Sequence, residues 1–507
     1  MKSAILTSLK RRILSSSENY ILFVFFLADL TFLIKIVGGN AWVTIFFFLL
    51  LIVLIWIKIR DWALSSLLVT IFSFQFYLPN KYYPIEVFRP YELQPGFGPY
   101  FLSYGINLEN IFLLITLILI IRNLILKKSV FPKKSITYIL PAIFSAILFF
   151  LISLYSSLRF SPYSSLSVTW LLQDIQLFLV GFSVFYVFFK KRSDLKLISP
   201  VILSSIVLQS AVSIIQFVKQ SWAGLPIESF IVETIYYGSP DAVHSYFRVA
   251  GTFGHPNQLA LILCAMLVLI LPQVIGERKP VYILGSFITV LVILLTQSRS
   301  GWLALFVVIL LTTIIYRNEL LKPVSKLAIR RIAVSITLVI AVTLAVAVPR
   351  IVASFNAFYQ NAGFPLRIEM AKEAILAIAQ NPWLGYGMGT NEPVLFRLFP
   401  MGYIYSFPAP IHMAYLQMIL ESGILGFLFF MFPFVYIIRC IINRFLLYGA
   451  KKIARAKNYI FITLAGISAF GSFYLFLPYE GFREFAYLGI IFGYGMICLQ
   501  PFKAFPK

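Results

Sequence analysis

The chain has 507 residues, of which 60% are hydrophobic and only 12% are charged, and its formal net charge at pH 7 is +23. A soluble domain of ordinary composition carries about 25% charged residues, so these values exclude a soluble globular protein. They indicate a protein that crosses a membrane many times.

Apolar runs close to the roughly 20 residues that cross ~30 Å of hydrocarbon recur along the whole chain. Each is predicted to be a helix, because a backbone that faces lipid must satisfy its own hydrogen bonds. The predicted fold class is all-α, a polytopic membrane protein of about 14 transmembrane helices that form a single domain over residues 1–507. The expected spans are centred on residues 20–37, 41–57, 62–78, 107–126, 137–155, 168–189, 198–218, 256–275, 281–296, 302–316, 332–349, 412–438, 460–477 and 485–500.

The distribution of the basic residues argues against nucleic acid as a partner. If the chain starts inside, the inner loops and termini hold 29 of the 42 Lys and Arg residues but only five of the 19 Asp and Glu residues. This is the positive-inside pattern of multi-pass membrane proteins. It predicts that both termini are cytoplasmic and that membrane lipids, not nucleic acid, surround the chain.

The stretch RVAGTFGHPNQLALIL places Arg248, His255 and Asn257 at the entrance of the eighth span, with Pro256 near its first helical position. Three interpretations of His255 stay open, namely a helix cap, a loop hydrogen bond and a contact with a ligand. Asn257 also has both a structural and a functional interpretation.

The stretch LLTQSRSGWLALF, residues 294–306, separates two apolar runs by a short hairpin that contains Arg299. The charge pattern puts this hairpin on the outer side, so Arg299 is expected at the membrane boundary. A guanidinium keeps its charge in proteins, and at that position it snorkels, pairs or binds a ligand. Ser298, Ser300 and Gly301 add hydrogen-bond donors and close backbone approach to the same turn, which favours a ligand.

The extracytoplasmic loop expected at residues 350–411, between the eleventh and twelfth spans, is too long for a simple connector. RIEMAKEAILAIAQNPWLGYGMGTN predicts an amphipathic helix that lies on the membrane surface or over a cavity, followed by a flexible turn of glycines. Arg367 opens this helix, where the helix dipole prefers an anion. It either forms a phosphate site with the helix N-terminus, or it contacts lipid headgroups or pairs with Glu369 or Glu373.

The stretch PAPIHMAYLQMILESGILG places His412 at the outer entrance of the twelfth span. A helix start disfavours the imidazolium, so His412 is expected to be neutral and able to accept a proton near pH 7. It is either a general base for a hydroxyl or an interfacial histidine bonded to the loop. Glu421 lies nine residues further on, roughly 13 Å along the helix, and is expected to be a packing partner.

The acidic residues of the chain are widely spaced. No two are closer than four positions, so the chain lacks a DxD-like pair that would hold a divalent metal on a diphosphate. Cys and His do not cluster as zinc ligands, and no GxxxxGK[ST] sequence appears. No metal and no cofactor are therefore expected, and arginines would have to bind a phosphorylated donor.

Four stretches taken in order resemble the serial motifs of the O-antigen ligase and O-antigen polymerase superfamily. They are RVAGTFGHPNQLA, LLTQSRSGWLAL, RIEMAKEAILAIAQNPWLGYGMGTN and HMAYLQMILESGILGFL, which together run from about residue 248 to 430. The resemblance implies a membrane glycosyltransferase of the GT-C type in the bacterial cytoplasmic (inner) membrane. Such enzymes move a glycan from undecaprenyl diphosphate to an acceptor hydroxyl at the outer face, with inversion at the anomeric carbon and without a metal.

The resemblance also implies roles for individual residues. His412 would deprotonate the acceptor hydroxyl, and three arginines would bind the diphosphate. These arginines are Arg299, Arg367 and Arg248. Three further residues are expected to line the cavity, namely His255, Asn257 and Ser298.

The acceptor and one alternative function stay open. Met413 follows the histidine, where ligases usually have Asn, Ser or Gln, so the acceptor is either a glycan, as for a polymerase, or a lipid-glycan, as for a ligase. A transporter or flippase of the same lipid-linked oligosaccharide is the alternative. Transporters are expected to show inverted repeats, broken helices and charged sites near the membrane midplane, whereas the residues singled out above cluster towards one face.

Overall fold

The computed structural model describes residues 16–34, 40–76, 108–126, 133–189, 192–225, 248–320, 364–403, 410–447, 450–478 and 482–500. All the regular secondary structure in these segments is helical, so the all-α prediction is confirmed. The span predicted at 332–349 lies outside the described residues.

The helices of the described segments are short to medium in length, and many are joined by tight turns. In chain order they are α1 (Ser17–Leu33), α2 (Ala41–Ile59), α3 (Trp62–Ser73), α4 (Leu108–Ile125), α5 (Lys133–Arg159), α6 (Ser164–Asp174), α7 (Gln176–Phe188), a 3-10 turn (Arg192–Leu197), α8 (Ile198–Lys219), α9 (Pro256–Gly276), α10 (Pro280–Leu295), α11 (Arg299–Ile315), α12 (Arg317–Leu320), α13 (Phe364–Gln380), α14 (Asn391–Leu398), α15 (Ala414–Leu447), α16 (Ala450–Phe473) and α17 (Phe482–Cys498).

Seven helical segments among the described residues are long and apolar enough to cross a membrane. They are α2, α4, most of α5, the consecutive pair α6 and α7, the segment that ends with α8, α9 and most of α15. Helices α3, α10 and α11 are apolar but shorter. The chain is therefore a polytopic membrane protein, and the number of fourteen spans stays a prediction.

The helices differ in how much of their surface faces outward. On α5, Phe144, Ile147, Leu151 and Leu158 are exposed at helical spacing, with 59% of Phe144 and 60% of Leu158 accessible. Such an apolar stripe is stable only against lipid or a partner. By contrast, α9 is largely enclosed by its neighbours, since 72% of its apolar window is buried against 28% for α2. Helix α9 is thus central, and α2 and α5 face the membrane.

Short connections bring several helix ends to one end of the bundle. Three residues join α9 to α10 and three join α10 to α11, so the start of α9, the end of α10 and the start of α11 lie together. Helices α5 and α15 are antiparallel, because Ser145 Oγ donates to the carbonyl of Phe429 at 2.7 Å and Ser156 Oγ contacts that of Glu421. The end of α5 therefore lies beside the start of α15.

Helix α15 is broken at Gly423, whose φ of 70° and ψ of 174° are not helical. The loop that follows α13 fills the gap. Tyr386 N–H donates to the carbonyl of Leu420 at 3.0 Å, and Ile424 N–H donates to that of Pro382 at 2.8 Å. Backbone groups that the break would leave unpaired in an apolar region are thereby satisfied. A side chain at Gly423 would overlap the carbonyl of Trp383, so only glycine fits this crossing.

This contact corrects the prediction of a flexible glycine turn after α13. Gly387 N–H donates to the carbonyl of Glu421 at 2.8 Å, and Gly389 N–H donates to the Glu421 carboxylate at 2.8 Å. The same carboxylate accepts from the side chain of Asn391 at 2.7 Å. Residues 385–389 therefore cross α15 and are fixed there by hydrogen bonds. Glu421 is the packing partner that the sequence predicted.

Helix α13 has two apolar faces. The apolar stripe that helical periodicity predicts consists of Ile368, Ala371, Ile375 and Ile378. Ile368 and Ile375 are exposed, at 42% and 57% accessibility, whereas Ile378 packs against the core. The contact with the rest of the protein is made instead by Met370, Ala374 and Ala377, which belong to a small core cluster with Ile411 and Leu420. The exposed stripe is consistent with a helix that lies against the membrane surface.

Candidate active site

His412 lies two residues before α15 and is partly buried. Its Nδ1 is 2.8 Å from the carbonyl oxygen of Pro410. A carbonyl oxygen only accepts, so Nδ1 carries the proton and Nε2 carries the lone pair. Burial, followed by the nearby cation of Arg367, lowers the pKa of His412 from 6.5 to about 4. The imidazole is therefore neutral at pH 7, as predicted, although burial rather than the helix start is the main cause.

Arg367 lies in the first turn of α13 and is half-buried. The two acids that the sequence offered as its partners have other contacts. Glu369 pairs with Lys372 at 2.6 Å, and Glu373 accepts from the backbone N–H of Tyr403 at 2.9 Å. The effect of Arg367 on the pKa of His412 shows that its guanidinium lies close to the imidazole.

Arg248 is a buried cation at the start of the segment that leads into α9. Its Nε donates to the carbonyl of Thr296 at 2.8 Å, and its Nη2 donates to the side-chain oxygen of Asn257 at 3.0 Å. Thr296 belongs to the α10–α11 turn, so one guanidinium links that turn to the start of α9. The structure brings two of the predicted site residues, Arg248 and Asn257, into direct contact.

His255 is the cap of α9, because its Nδ1 accepts from the backbone N–H of Asn257 at 3.1 Å. The proton of this imidazole is therefore on Nε2. Burial, with smaller effects of the nearby Arg248 and His412, lowers the pKa of His255 from 6.5 to about 3. The two histidines lie near each other as opposite tautomers: Nε2 of His255 is a donor and Nε2 of His412 is an acceptor.

Arg299 is the first residue of α11 and its side chain is exposed. Ser298 caps the helix, since its hydroxyl accepts from the N–H of Gly301 at 3.2 Å. The structure places Arg299 three residues after Thr296, on the turn that Arg248 holds, and gives Ser298 a capping role.

The loop that carries Arg248 is held by two amides that sequence reasoning missed. Gln216 Oε1 accepts from the N–H groups of Ala250 and Gly251 at 3.0 and 2.9 Å. Gln209 Oε1 accepts from Thr252 N–H at 3.0 Å. The available signal was the pair itself, because two glutamines seven residues apart in the apolar α8 share one helix face and need buried partners.

Two cations and two neutral imidazoles form the candidate site at one end of the membrane bundle. Cations of Arg248 and Arg367 approach two neutral imidazoles, one of which offers a lone pair for a proton. Within the described segments, no group of three or more His, Cys, Asp or Glu side chains is placed to hold a metal ion. Such a site can bind an anion and deprotonate a hydroxyl beside it.

In a comparison with known families, residues 284–431 match the model of an O-antigen ligase domain. The resemblance to the O-antigen ligase and polymerase superfamily is thus confirmed over the last three of the four motifs, and the first motif precedes the matched segment. The matched segment includes Arg299, Arg367 and His412, whereas Arg248 and His255 precede it. The domain implies a membrane enzyme of the glycosyltransferase type that uses a lipid-linked glycan and an acceptor. A separate comparison with curated proteins found no match to the chain.

Proposed function

We propose that the protein transfers a glycan from undecaprenyl diphosphate to an acceptor hydroxyl at the outer face of the bacterial cytoplasmic membrane, with inversion and without a metal. The observation that carries this proposal is the proximity of His412 to Arg367 and to His255, with Arg248 beside His255, at one end of a membrane-embedded bundle. The O-antigen ligase domain over residues 284–431 supports the same class of chemistry. The positive-inside pattern of the sequence supports the outer location.

In the proposed reaction, Nε2 of His412 accepts the proton of the acceptor hydroxyl. The hydroxyl oxygen then bonds to the anomeric carbon, on the face opposite the diphosphate. The bond between that carbon and the diphosphate oxygen breaks, and undecaprenyl diphosphate leaves with the electron pair. Attack opposite the leaving group inverts the anomeric configuration.

Arginines are proposed to stabilise the charge that develops on the leaving diphosphate. Arg367 adds its guanidinium to the first turn of α13, where backbone N–H groups also favour an anion. Arg248 is fixed by Thr296 and Asn257, which preorganises its charge. Arg299 is exposed at the first position of α11 and is proposed to contact the diphosphate from that helix.

Donor binding is proposed to strengthen the base. In the free protein, burial and Arg367 hold the pKa of His412 near 4, so Nε2 is a weak base. A bound diphosphate places negative charge beside Arg367 and His412, which favours the imidazolium and raises this pKa. A general base works best when its pKa lies near the working pH, so deprotonation becomes efficient only in the loaded site.

An apolar groove next to His412 is proposed to hold the polyprenyl chain. It lies between α15, α16 and α17 and is lined almost entirely by apolar side chains, including Ala414, Tyr415 and Phe430. Ala414 and Tyr415 follow His412 by two and three residues, so a lipid chain in the groove would have its diphosphate at the start of α15. The closeness of this groove to His412 along the chain supports a lipid diphosphate as the donor.

Reconstitution tests the proposal directly. Purified protein in liposomes, given the native strain's undecaprenyl-diphosphate-linked glycan and candidate acceptors, is expected to form a new glycosidic bond. His412→Ala is expected to lower the rate by about 10²-fold or more while donor binding is kept, and His244→Ala, outside the four motifs, serves as the matched control. A wild-type chain that only moves the lipid between leaflets would identify a flippase. The isolated product distinguishes a polymerase from a ligase.

A further inference from the structure

A second cavity lies at the same end of the bundle, between the end of α5, the end of α13 and α14. Its volume is about 440 Å³, within the ~300–1,000 Å³ typical of small-molecule sites. It is separate from the residues around His412. Its lining includes Phe160, Pro162, Gln380, Asn381, Tyr386 and Arg397.

The lining combines aromatic rings with planar polar side chains. Phe160 is 37% exposed, and its ring meets that of Tyr155 edge-on at a centroid distance of 6.1 Å. Gln380 and Arg397 are exposed at the rim. Among the described residues of this lining, none is acidic. A pyranose ring has apolar C–H faces and a rim of hydroxyls, so this combination of ring faces, amides and a guanidinium suits a sugar.

The walls of the cavity are fixed by contacts with the core. The hydroxyl of Tyr386 donates to the carbonyl of Ala377 at 3.1 Å, and its backbone N–H donates to Leu420 across the break in α15. The side chain of Asn381 donates to the carbonyl of Gly385. A cavity formed by such held side chains binds without the cost of ordering them first.

Helix α13 connects this cavity to the candidate active site. Arg367 lies in its first turn near His412, and Gln380, its last residue, lines the cavity. At ~1.5 Å per residue the two positions are about 20 Å apart. A glycan several sugar units long can therefore span from the reacting anomeric carbon to the cavity along the outer surface of α13.

We propose that this cavity binds a sugar unit of the glycan, several units away from the bond that is made. The inference rests on the proposed transferase function and extends it, because it assigns a binding site to the part of the substrate that does not react. Phe160 and Tyr386 provide the stacking surface, and Gln380 and Arg397 bind hydroxyl or acidic groups of the sugar. The cavity thereby selects for glycan length and composition at a distance from His412.

Direct binding to the full chain in nanodiscs tests this site. The probe is the oligosaccharide mixture released by mild acid from the native strain's lipid-linked glycans and separated by size. Saturation-transfer NMR is expected to show binding of the longer fractions to the wild type. Phe160→Ala and Arg397→Ala are each expected to weaken it by roughly three- to tenfold, the effect of one lost polar or stacking contact. Both side chains are exposed, and Arg439→Ala, at an exposed position in the second half of α15, is the matched control.

Equal affinity in the wild type, both variants and the control overturns the proposal, as does a wild type that binds no fraction. A transfer assay with acceptors of one sugar and of several sugars separates this result from failure of the transferase. Variants of the cavity are expected to raise KM for long substrates and leave kcat with the one-sugar acceptor unchanged. Varying donor length and acceptor length separately shows which glycan occupies the cavity. A chain that binds the oligosaccharide through Phe160 and yet forms no product contradicts the transferase alone.

Discussion

The charge state and tautomer of His412 are the most direct prediction of the proposed chemistry. The chain contains only three histidines, so ¹⁵N-histidine labelling gives a simple NMR spectrum, and the variants His244→Asn and His255→Asn assign it. His412 is expected as the Nδ1–H tautomer and His255 as the Nε2–H tautomer. With a pKa near 4, fewer than about 1% of His412 side chains carry a second proton at pH 6.5.

Removing the cation of Arg367 tests its effect on the pKa of His412. Arg367→Gln is expected to raise the pKa of His412 above 4, because Arg367 lowers it. The rise should stop short of 6.5, since burial is the larger cause of the lowered pKa. Inorganic pyrophosphate added to the wild type is expected to raise this pKa as well, and it should have less effect on Arg367→Gln. Lys372→Gln removes a cation from the same helix and serves as the control.

Three results would refute this reasoning. A His412 pKa near 6.5 in the free wild type would show that neither burial nor Arg367 acts as described. An unchanged pKa in Arg367→Gln would separate the guanidinium from the imidazole. An Nε2–H tautomer of His412 would leave no lone pair at the atom assigned as the base.

Three further predictions concern the arginine turn, the broken helix and acid stability. Arg299→Lys should lose most transfer activity, because a lysine cannot make the bidentate contact of a guanidinium with a diphosphate; an active lysine variant would indicate simple membrane anchoring. Gly423→Ala should lower the free energy of unfolding by about 1–3 kcal/mol from its backbone conformation alone, and the overlap with Trp383 should lower it further. The thermal midpoint and the activity should both fall. Gly276→Ala, whose new side chain meets open space, should lower neither. His255 and His412 have lowered pKa values in the folded protein, so the unfolded chain binds more protons than the folded chain between about pH 4 and 6.5. The thermal midpoint should therefore fall as the pH falls through this window. A thermal midpoint that stays constant between pH 6.5 and 4.5 would contradict both pKa values.

Features that depend on neighbours in sequence were predictable. The TQSRSG turn, the Pro256 start of α9 and the position of Arg367 in the first turn of α13 follow from local signals that act over a few residues. The neutral state of His412 was also predictable, although the cause was not. Sequence pattern shows where a helix begins, but it does not show that Arg367, 45 residues away, lies beside the imidazole.

Features that depend on distant contacts were not predictable. In the sequence, Gly423 is one small residue in an apolar helix. The φ that it adopts is set by the loop that crosses α15 at this position. Periodicity identified Ile368 and Ile375 on α13, yet the protein core takes the face of Met370 and Ala374. A helix with two apolar faces has one side for the protein and one for the membrane, and its own sequence does not distinguish them.

The break in α15 and the basicity of His412 are connected through the position of Arg367. Arg367 and His412 start two different helices, and a change in their separation changes the electrostatic effect of one on the other. The crossing at Gly423 and the bonds of the Glu421 carboxylate to Gly389 and Asn391 tie the segment after α13 to α15, and Met370 of α13 shares a core cluster with Ile411. These contacts hold Arg367, the cation proposed to bind the diphosphate, near the proposed base His412. Under the proposed mechanism, a hydroxyl is activated efficiently only when the lipid diphosphate is present, which limits proton transfer in an empty site.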